Sequence, residues 1–477
     1  MKPRWKPEER ARREFREFWP ICHGQPLSNA RWDTAGERLN IRSRTDLLTR
    51  QQTMRLFDWK NWKKSLLPPL EPHSEAKLQV LRSYVEDYIC ILCADSFGRD
   101  AFRITLVDGF AGGGAYATGK VGSPFVLLEA VETAEARINS TGREKPLAVD
   151  CHFYFVEEDP DAFECLAAEL AKSKYRDRVG KTVFLMKGSF QDCQIEIVQK
   201  SKIRFSRGGS RVIFFLDQCG YTDVNPKMLR SISTHLNHKS EFIINFAVDW
   251  LIDFIGETDN FRTIFPNLGL ESEITADDLI LAKENSGHDW RYMIESLVGP
   301  AFRNVAGSPF FSPFYIAPVG NHRGYWLLHL APHGRARSAM LDVYWRNANG
   351  HRHFGHAGLN MLQYKPDADP TGYFQGMAFD DMTRQNAKTA LLADFARVIR
   401  DSHAYGVSFK DFADMYCNQT IANNDLMAET LEQLAIDSQI IVKGPKGCSK
   451  RSEKIQPHDI LLPNNQLFFN AFKSNKP

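Results

Sequence analysis

The chain has little net charge, no long apolar run and no clustered cysteines, and each lack narrows what it can be. Its 60 basic side chains stand against 58 acidic ones, a formal net charge of +2. No global field for a polyanion follows from that balance, so any nucleic-acid surface must be local. No apolar stretch in the sequence approaches the roughly 18–20 residues that span a bilayer, and no membrane partner is expected. The start of the chain is rich in Lys and Arg without the apolar segment of a signal peptide, so the expected location is the reducing cytoplasm. The nine cysteines are scattered. Cys90 and Cys93 form a Cys-x-x-Cys, but they fall within the helical pattern of Leu78, Leu81, Tyr84, Val85, Tyr88, Ile89 and Leu92 and read as buried helix residues. His351, His353 and His356 lie close together, with His322, His329 and His333 upstream, yet neither a Cys nor an acid completes a zinc spacing, so no metal is expected.

What is present is length and periodicity. At 477 residues the chain exceeds the usual single domain, and 43% hydrophobic residues suffice for packed cores. Residues 1–70 are charged, Trp-rich and closed off by Pro68-Pro69, which predicts an N-terminal arm, either an extension or a partner-facing segment. From residue 71 to 350, after a helix over 74–97, short apolar runs at 104–107, 153–156, 182–186, 211–216 and 241–247 alternate with amphipathic stretches at 124–138, 161–172, 192–201 and 226–235. That alternation predicts an α/β fold with a Rossmann-like, mostly parallel sheet and helices on both faces. Runs at 313–319 and 325–331, after a helical insertion near 276–296, are expected as the last strands of the same sheet. A polar stretch over 351–385 is expected as a linker. In 386–477, helical patterns over 391–400, 408–416 and 425–435 precede a hairpin around Gly444-Pro-Lys-Gly447, the order of a winged-helix-like domain. Its wing carries Lys443, Lys446, Lys450, Arg451 and Lys454, which fits a phosphate-binding edge, a solvated hairpin or a protein-docking module.

Two strand ends carry the chemistry. Ile104-Thr-Leu-Val-Asp108 breaks into Gly109-Phe-Ala-Gly-Gly-Gly114, a turn in which residues without Cβ let backbone amides approach a nucleotide-like ligand. His152-Phe-Tyr-Phe-Val-Glu157 again ends in an acid, placed as an acid must be to accept hydrogen bonds from ribose hydroxyls. Ser189 and Phe190 follow the third strand, where Ser189 would either bond an adenine or cap the next helix, and Phe190 would pack on the base. Val212-Ile-Phe-Phe-Leu216 delivers Asp217-Gln-Cys-Gly-Tyr221 to the same edge.

Asp108-Gly-Phe-Ala-Gly-Gly-Gly114 resembles the glycine motif of class I S-adenosylmethionine-dependent methyltransferases, in the form found in enzymes that methylate amino groups of nucleic-acid bases. The whole chain, from about residue 60 to 470, is similar to the three-Cys-motif partner (TcmP) family, through His73-Ser with Lys77, Asp108-Gly-Phe-Ala-Gly, Gly122-Ser-Pro124, Val156-Glu157 and the acid ending the fourth strand. The resemblance implies a methyltransferase-type core and a partner resembling a radical-S-adenosylmethionine protein with three clustered cysteines. It also implies S-adenosylmethionine as cofactor, held by Asp108, Phe110, Gly112, Gly114, Glu157, Ser189 and Phe190, with Asp217 orienting a methyl acceptor and Tyr221 stacking on it. The chain departs from the pattern at Gln218 and Cys219, where amino methyltransferases carry two prolines that fix the backbone. Two readings therefore stand side by side: a methyltransferase-like protein acting on DNA or RNA with its partner, or a catalytically weak Rossmann-like module that docks a partner or DNA through its tail and through Trp5, Trp19, Trp32, Trp59 and Trp62.

Overall fold

The structure, a computed structural model, describes residues 59–464 apart from single positions and short stretches, of which 95–99, 206–209, 286–289, 317–323 and 360–376 are the longest. The first helix, α1 (Pro72–Cys93), has Pro at its start and buries Val80, Leu81, Tyr84, Val85, Tyr88 and Ile89 along one stripe. It ends four residues earlier than the periodicity predicts. Cys93 is buried and Cys90 half-buried, and neither is in a disulfide.

Five parallel strands follow: β1 (Ala101–Asp108), β2 (Ala148–Glu157), β3 (Val183–Lys187), β4 (Ser210–Leu216) and β5 (Ser240–Phe246). They alternate with α2 (Ser123–Asn139), α3 (Pro160–Lys172), α4 (Phe190–Phe205) and α5 (Pro226–His235). After four further helices, α6 (Val248–Ile255), α7 (Thr258–Ile264), α8 (Ala276–Asn285) and α9 (Trp290–Ala306), come β6 (Phe310–Ile316) and β7 (Tyr325–Ala331). These last two do join the same sheet, whose order through its first seven members is β3-β2-β1-β4-β5-β7-β6. Only β7 among these seven runs against its neighbours, pairing antiparallel with both β5 and β6.

The strands read as unbroken apolar runs because both faces are covered. Within β4, Ile213 and Phe215 enter the core beneath α1 and α2, while Val212, Phe214 and Leu216 enter the core beneath α4 and α5. The sheet is thus Rossmann-like: parallel in its main part, with helices on both sides.

The stretch expected as a linker is described at its ends, and there it extends the sheet. After α10 (Gly334–Asn347), β8 (His351–His353) pairs with β6, and β9 (Met377–Ala378) pairs with β8. The tail is built from α11 (Asp381–Ser402), β10 (Val407–Ser408), α12 (Phe409–Tyr416), α13 (Asn424–Ile436), β11 (Ile440–Lys443), β12 (Ser449–Lys450) and β13 (Ile460–Pro463). The four strands form a small antiparallel sheet ordered β10-β13-β11-β12. Its core is continuous with that of the large sheet, since Leu391, Phe395, Phe412 and Leu431 belong to the same buried cluster as Phe314, Tyr344 and Phe379. The side chain of Arg337 crosses the boundary, donating to the carbonyls of Phe311, Ala422 and Thr420.

Candidate functional site

Parallel pairing in register puts the two strand-end acids at one edge. Asp108 lies opposite Phe155 of β2 and Phe215 of β4, so the carboxyl ends of three neighbouring strands, and with them Glu157 and Asp217, converge. Asp108 has no exposed surface; its Oδ1 accepts from the Phe110 amide at 3.2 Å, and its Oδ2 has no hydrogen-bond partner within 3.5 Å among the described residues. Burial pushes this carboxyl up to about 7, with the charges of Asp217 and Glu157 adding to the rise and the Ser123 hydroxyl and Phe110 amide opposing it.

Gly112 and Gly114 sit at φ of +60° and +75°, a backbone that side-chain-bearing residues rarely adopt. Gly113 is required for a different reason: a Cβ there would lie 2.2 Å from the ring of Trp59. Trp59 is only 7% exposed and packs against Ala162 and Cys165 of α3. The partner-facing role expected for it in the arm is therefore corrected, because its ring is used internally to cover the glycine turn. Trp62 is partly buried beside it. Trp5, Trp19 and Trp32 lie outside the described residues.

Glu157 closes the turn from the other side. Its Oε2 accepts from the Gly112 amide at 2.7 Å and its Oε1 from the Asp159 amide at 2.8 Å. Burial raises this carboxyl above the usual range and the two amides pull it back. Asp159 in turn caps α3 through the amides of Asp161 and Ala162, so the acid and the helix start are fixed as one unit.

Of the two residues after β3, Ser189 takes the capping alternative: its hydroxyl accepts from the Asp192 amide at 3.2 Å and donates to the Asp192 carboxylate at 2.6 Å. Phe190 is 2% exposed, tilted against Phe110 at 6.3 Å and edge-on to Phe214 at 6.2 Å. The expectation that it offers a face to a base is corrected: the ring stands under the glycine turn as packing, and the half-buried Phe110 covers it.

At the end of β4 the structure adds a side chain to which the sequence gave no role. Lys77 of α1, 6% exposed, holds both oxygens of Asp217 at 2.6 and 2.9 Å. Its ammonium also lies 5.6 Å from the ring centre of Tyr325, on which His73 stacks at 5.7 Å. Burial pushes the His73 imidazole below its ordinary value, the Lys77 charge adds to that, and Asp217 opposes it. His73 and Lys77 stand one helical turn apart and so share a face of α1. The i, i+4 spacing was visible; the distant carboxylate was not.

The Gln218 side chain, fully buried, accepts from the Val224 amide at 3.0 Å, and its backbone carbonyl accepts from Asn245 Nδ2 at 3.2 Å. The Asp217 carboxylate and the Gln218 carbonyl thus both already carry a donor. Cys219 and Tyr221 lie outside the described residues.

In the tail, Lys443 at the end of β11 and Lys454 before β13 are exposed, and Lys450 pairs through its backbone with Val442. Lys446 and Arg451 lie outside the described residues, as do His322 and His356. His329 is buried, bonded to the Tyr84 hydroxyl at 3.1 Å and facing Glu241 at 3.4 Å, which makes it a core residue of β7. No helix among the described residues is long and apolar enough to cross a membrane.

No family model matches the chain, and no curated protein matches it.

Proposed function

We propose that this chain is a methyltransferase-like protein that binds S-adenosylmethionine at the carboxyl edge of its sheet and acts on nucleic acid together with a partner protein, as the resemblance to the three-Cys-motif partner family implies. One observation carries the reading: a fully buried acid with an unshared oxygen, Asp108, lies at the foot of a glycine turn and next to a second strand-end acid, Glu157. An orphaned buried carboxylate oxygen carries a desolvation cost that a matching donor removes. The cofactor presents such donors, an amino group for Asp108 and ribose hydroxyls for Glu157, so the residues present fit it. The strand order, with its single reversed strand beside β5, agrees with a methyltransferase-type core.

When bound, the cofactor supplies an electrophilic methyl group. The protein's share of such a reaction is positioning, which converts a bimolecular encounter into a unimolecular one. Asp108, Gly112, Gly114 and Glu157 hold one reactant. Asp217, fixed by Lys77, faces the other with its remaining lone pairs, and Tyr221 is assigned the stacking face. In the tail, the three helices and small sheet are read as a winged helix, with Lys443, Lys446, Lys450, Arg451 and Lys454 on its phosphate-binding edge.

A second reading has its own support. With Asp217 held by Lys77 and the Gln218 carbonyl by Asn245, an amine acceptor finds both anchoring groups engaged. A catalytically weak Rossmann-like module that docks a partner or DNA without transferring a methyl fits that arrangement.

Calorimetry with S-adenosylmethionine and S-adenosylhomocysteine tests the first reading. Binding is expected, weakened at least about tenfold by Glu157→Ala, which removes a charged acceptor, and by Gly112→Leu, which forces a side chain into positive φ. No heat from either ligand with the unmodified protein would overturn the first reading and leave the second. Transfer of labelled methyl to nucleic acid then separates them.

The tail makes a separate prediction. Nucleic-acid affinity should fall with salt, and Lys446→Ala, Lys450→Ala and Arg451→Ala together should make the log–log slope shallower by about 2–3, one counterion per lost phosphate contact. An unchanged slope would remove the wing from the interface.

A further inference from the structure

The Lys77–Asp217 pair is not accounted for by stability. Burying an ion pair is commonly no better than burying an apolar pair of the same size, and this one sits where ligands bind in open α/β sheets, not in the middle of a core. Its surroundings suggest what it does. Asp217 lies close enough to Asp108 to raise that group electrostatically, and Asp108 feels Glu157 in the same way. Without a counter-ion, three carboxylates would converge on one crevice. Lys77 reaches in from α1, 6% exposed, and cancels one of them through both oxygens, at 2.6 and 2.9 Å.

We infer that Lys77, by neutralising Asp217, limits how strongly the crevice prefers a sulfonium over the uncharged thioether that remains once the methyl has left. This rests on the proposed cofactor reading. When an acceptor lone pair takes the methyl, the electron pair of the broken carbon–sulfur bond stays on sulfur; the positive charge passes to the acceptor, which then loses a proton to solvent. Carboxylate charge beside the sulfonium therefore favours the reactant more than the transition state, in which that charge is already dispersing, and such ground-state binding slows the step. Asp217 bare would add to that excess. Asp217 paired with Lys77 keeps its place and its outward lone pairs while contributing no net charge. His73, one turn before Lys77 on the same helix face, stacks on Tyr325 beside the buried ammonium.

The test is the ratio of dissociation constants for S-adenosylhomocysteine and S-adenosylmethionine, measured by calorimetry on the full chain at about pH 8.5, above the raised value of Asp108. A ratio cancels losses of folding or of general affinity that a merely structural residue would cause. Lys77→Met is expected to shift the ratio about tenfold toward S-adenosylmethionine, the order of effect of one uncompensated charge in a partly screened site. Lys77→Arg should restore the original ratio, and Lys77→Met combined with Asp217→Asn should return close to it, because that double change again leaves the site without the extra charge. If Lys77→Met fails to fold, Lys77→Gln makes the same substitution of charge with a shape closer to the original. A ratio moved by less than about twofold in the folded single variant, with both ligands still bound, overturns the inference and leaves the cofactor reading intact. No binding of either ligand by the unmodified chain overturns the cofactor reading and this inference together.

Discussion

Arg337→Met is expected to lower the free energy of unfolding by about 3–5 kcal/mol, the range for leaving several buried carbonyls without donors. The guanidinium has no exposed surface, and no ion-pair partner is found for it among the described residues. It is held instead by carbonyls, with Nε 3.2 Å from Phe311, Nη1 3.3 Å from Ala422 and Nη2 2.5 Å from Thr420. Those carbonyls belong to two parts of the chain, the start of β6 and the turn before α13. Asn418 reinforces the same seam, donating to the Pro309 carbonyl at 2.7 Å and accepting from the Phe311 amide at 2.9 Å. Methionine fills the volume and donates nothing, so the seam should loosen before the rest unfolds. Urea denaturation followed by far-ultraviolet circular dichroism, with limited proteolysis as a second probe, checks this. Arg337→Lys should rescue little, since an ammonium lacks the planar fork that reaches three carbonyls at once. A methionine variant within about 1 kcal/mol of the parent would show that the seam is held by its apolar contacts alone.

Asp108→Asn should have an effect of similar size and opposite sign. The folded protein holds the Asp108 proton up to about 7, against an ordinary value of 3.8. The native state therefore binds this proton more tightly than the unfolded chain does. Its contribution to stability falls as pH rises from about 4 to about 7 and stays at its most unfavourable above that. At roughly 1.4 kcal/mol per unit, the penalty at pH 8 is up to about 4 kcal/mol. Asparagine keeps an oxygen for the Phe110 amide and carries no charge, so the variant should be more stable at pH 8 and flatter across the window. It should also bind S-adenosylmethionine at least about tenfold more weakly, having lost the charge that faces the amino group. Gain of stability with loss of binding is the pattern of a group retained for function. Identical urea midpoints for both proteins at pH 5 and pH 8 would refute the burial argument.

The sequence disclosed the sheet because its strands are short, apolar on both faces and spaced by amphipathic stretches, and because each of the first two ends in an acid. Asp108, Gly112, Gly114 and Glu157 come together for that reason: parallel register is enough to align the ends of adjacent strands. What stayed hidden depends on contacts between residues far apart in the chain. Lys77 and Asp217 are 140 positions apart, and nothing in either segment marks the other. Phe190 was misplaced because a phenylalanine after a strand looks the same whether it faces a ligand or the core; only its neighbours Phe110 and Phe214 decide. Trp59 was assigned outward because an irregular, charged segment reads as surface, while the space above Gly113 is visible only in three dimensions. The polar stretch after α10 hid β8 and β9, whose three and two residues are too short to show a period.

Those two small strands have a consequence of their own. An unpaired margin of a β-sheet is a template on which a second chain can hydrogen-bond, and proteins blunt such margins with very short terminal strands. Here the run of paired strands tapers on the β6 side from seven residues to three and then to two. Among the described residues this side of the sheet therefore ends in very short paired strands, the form in which such margins offer a second chain little to bond.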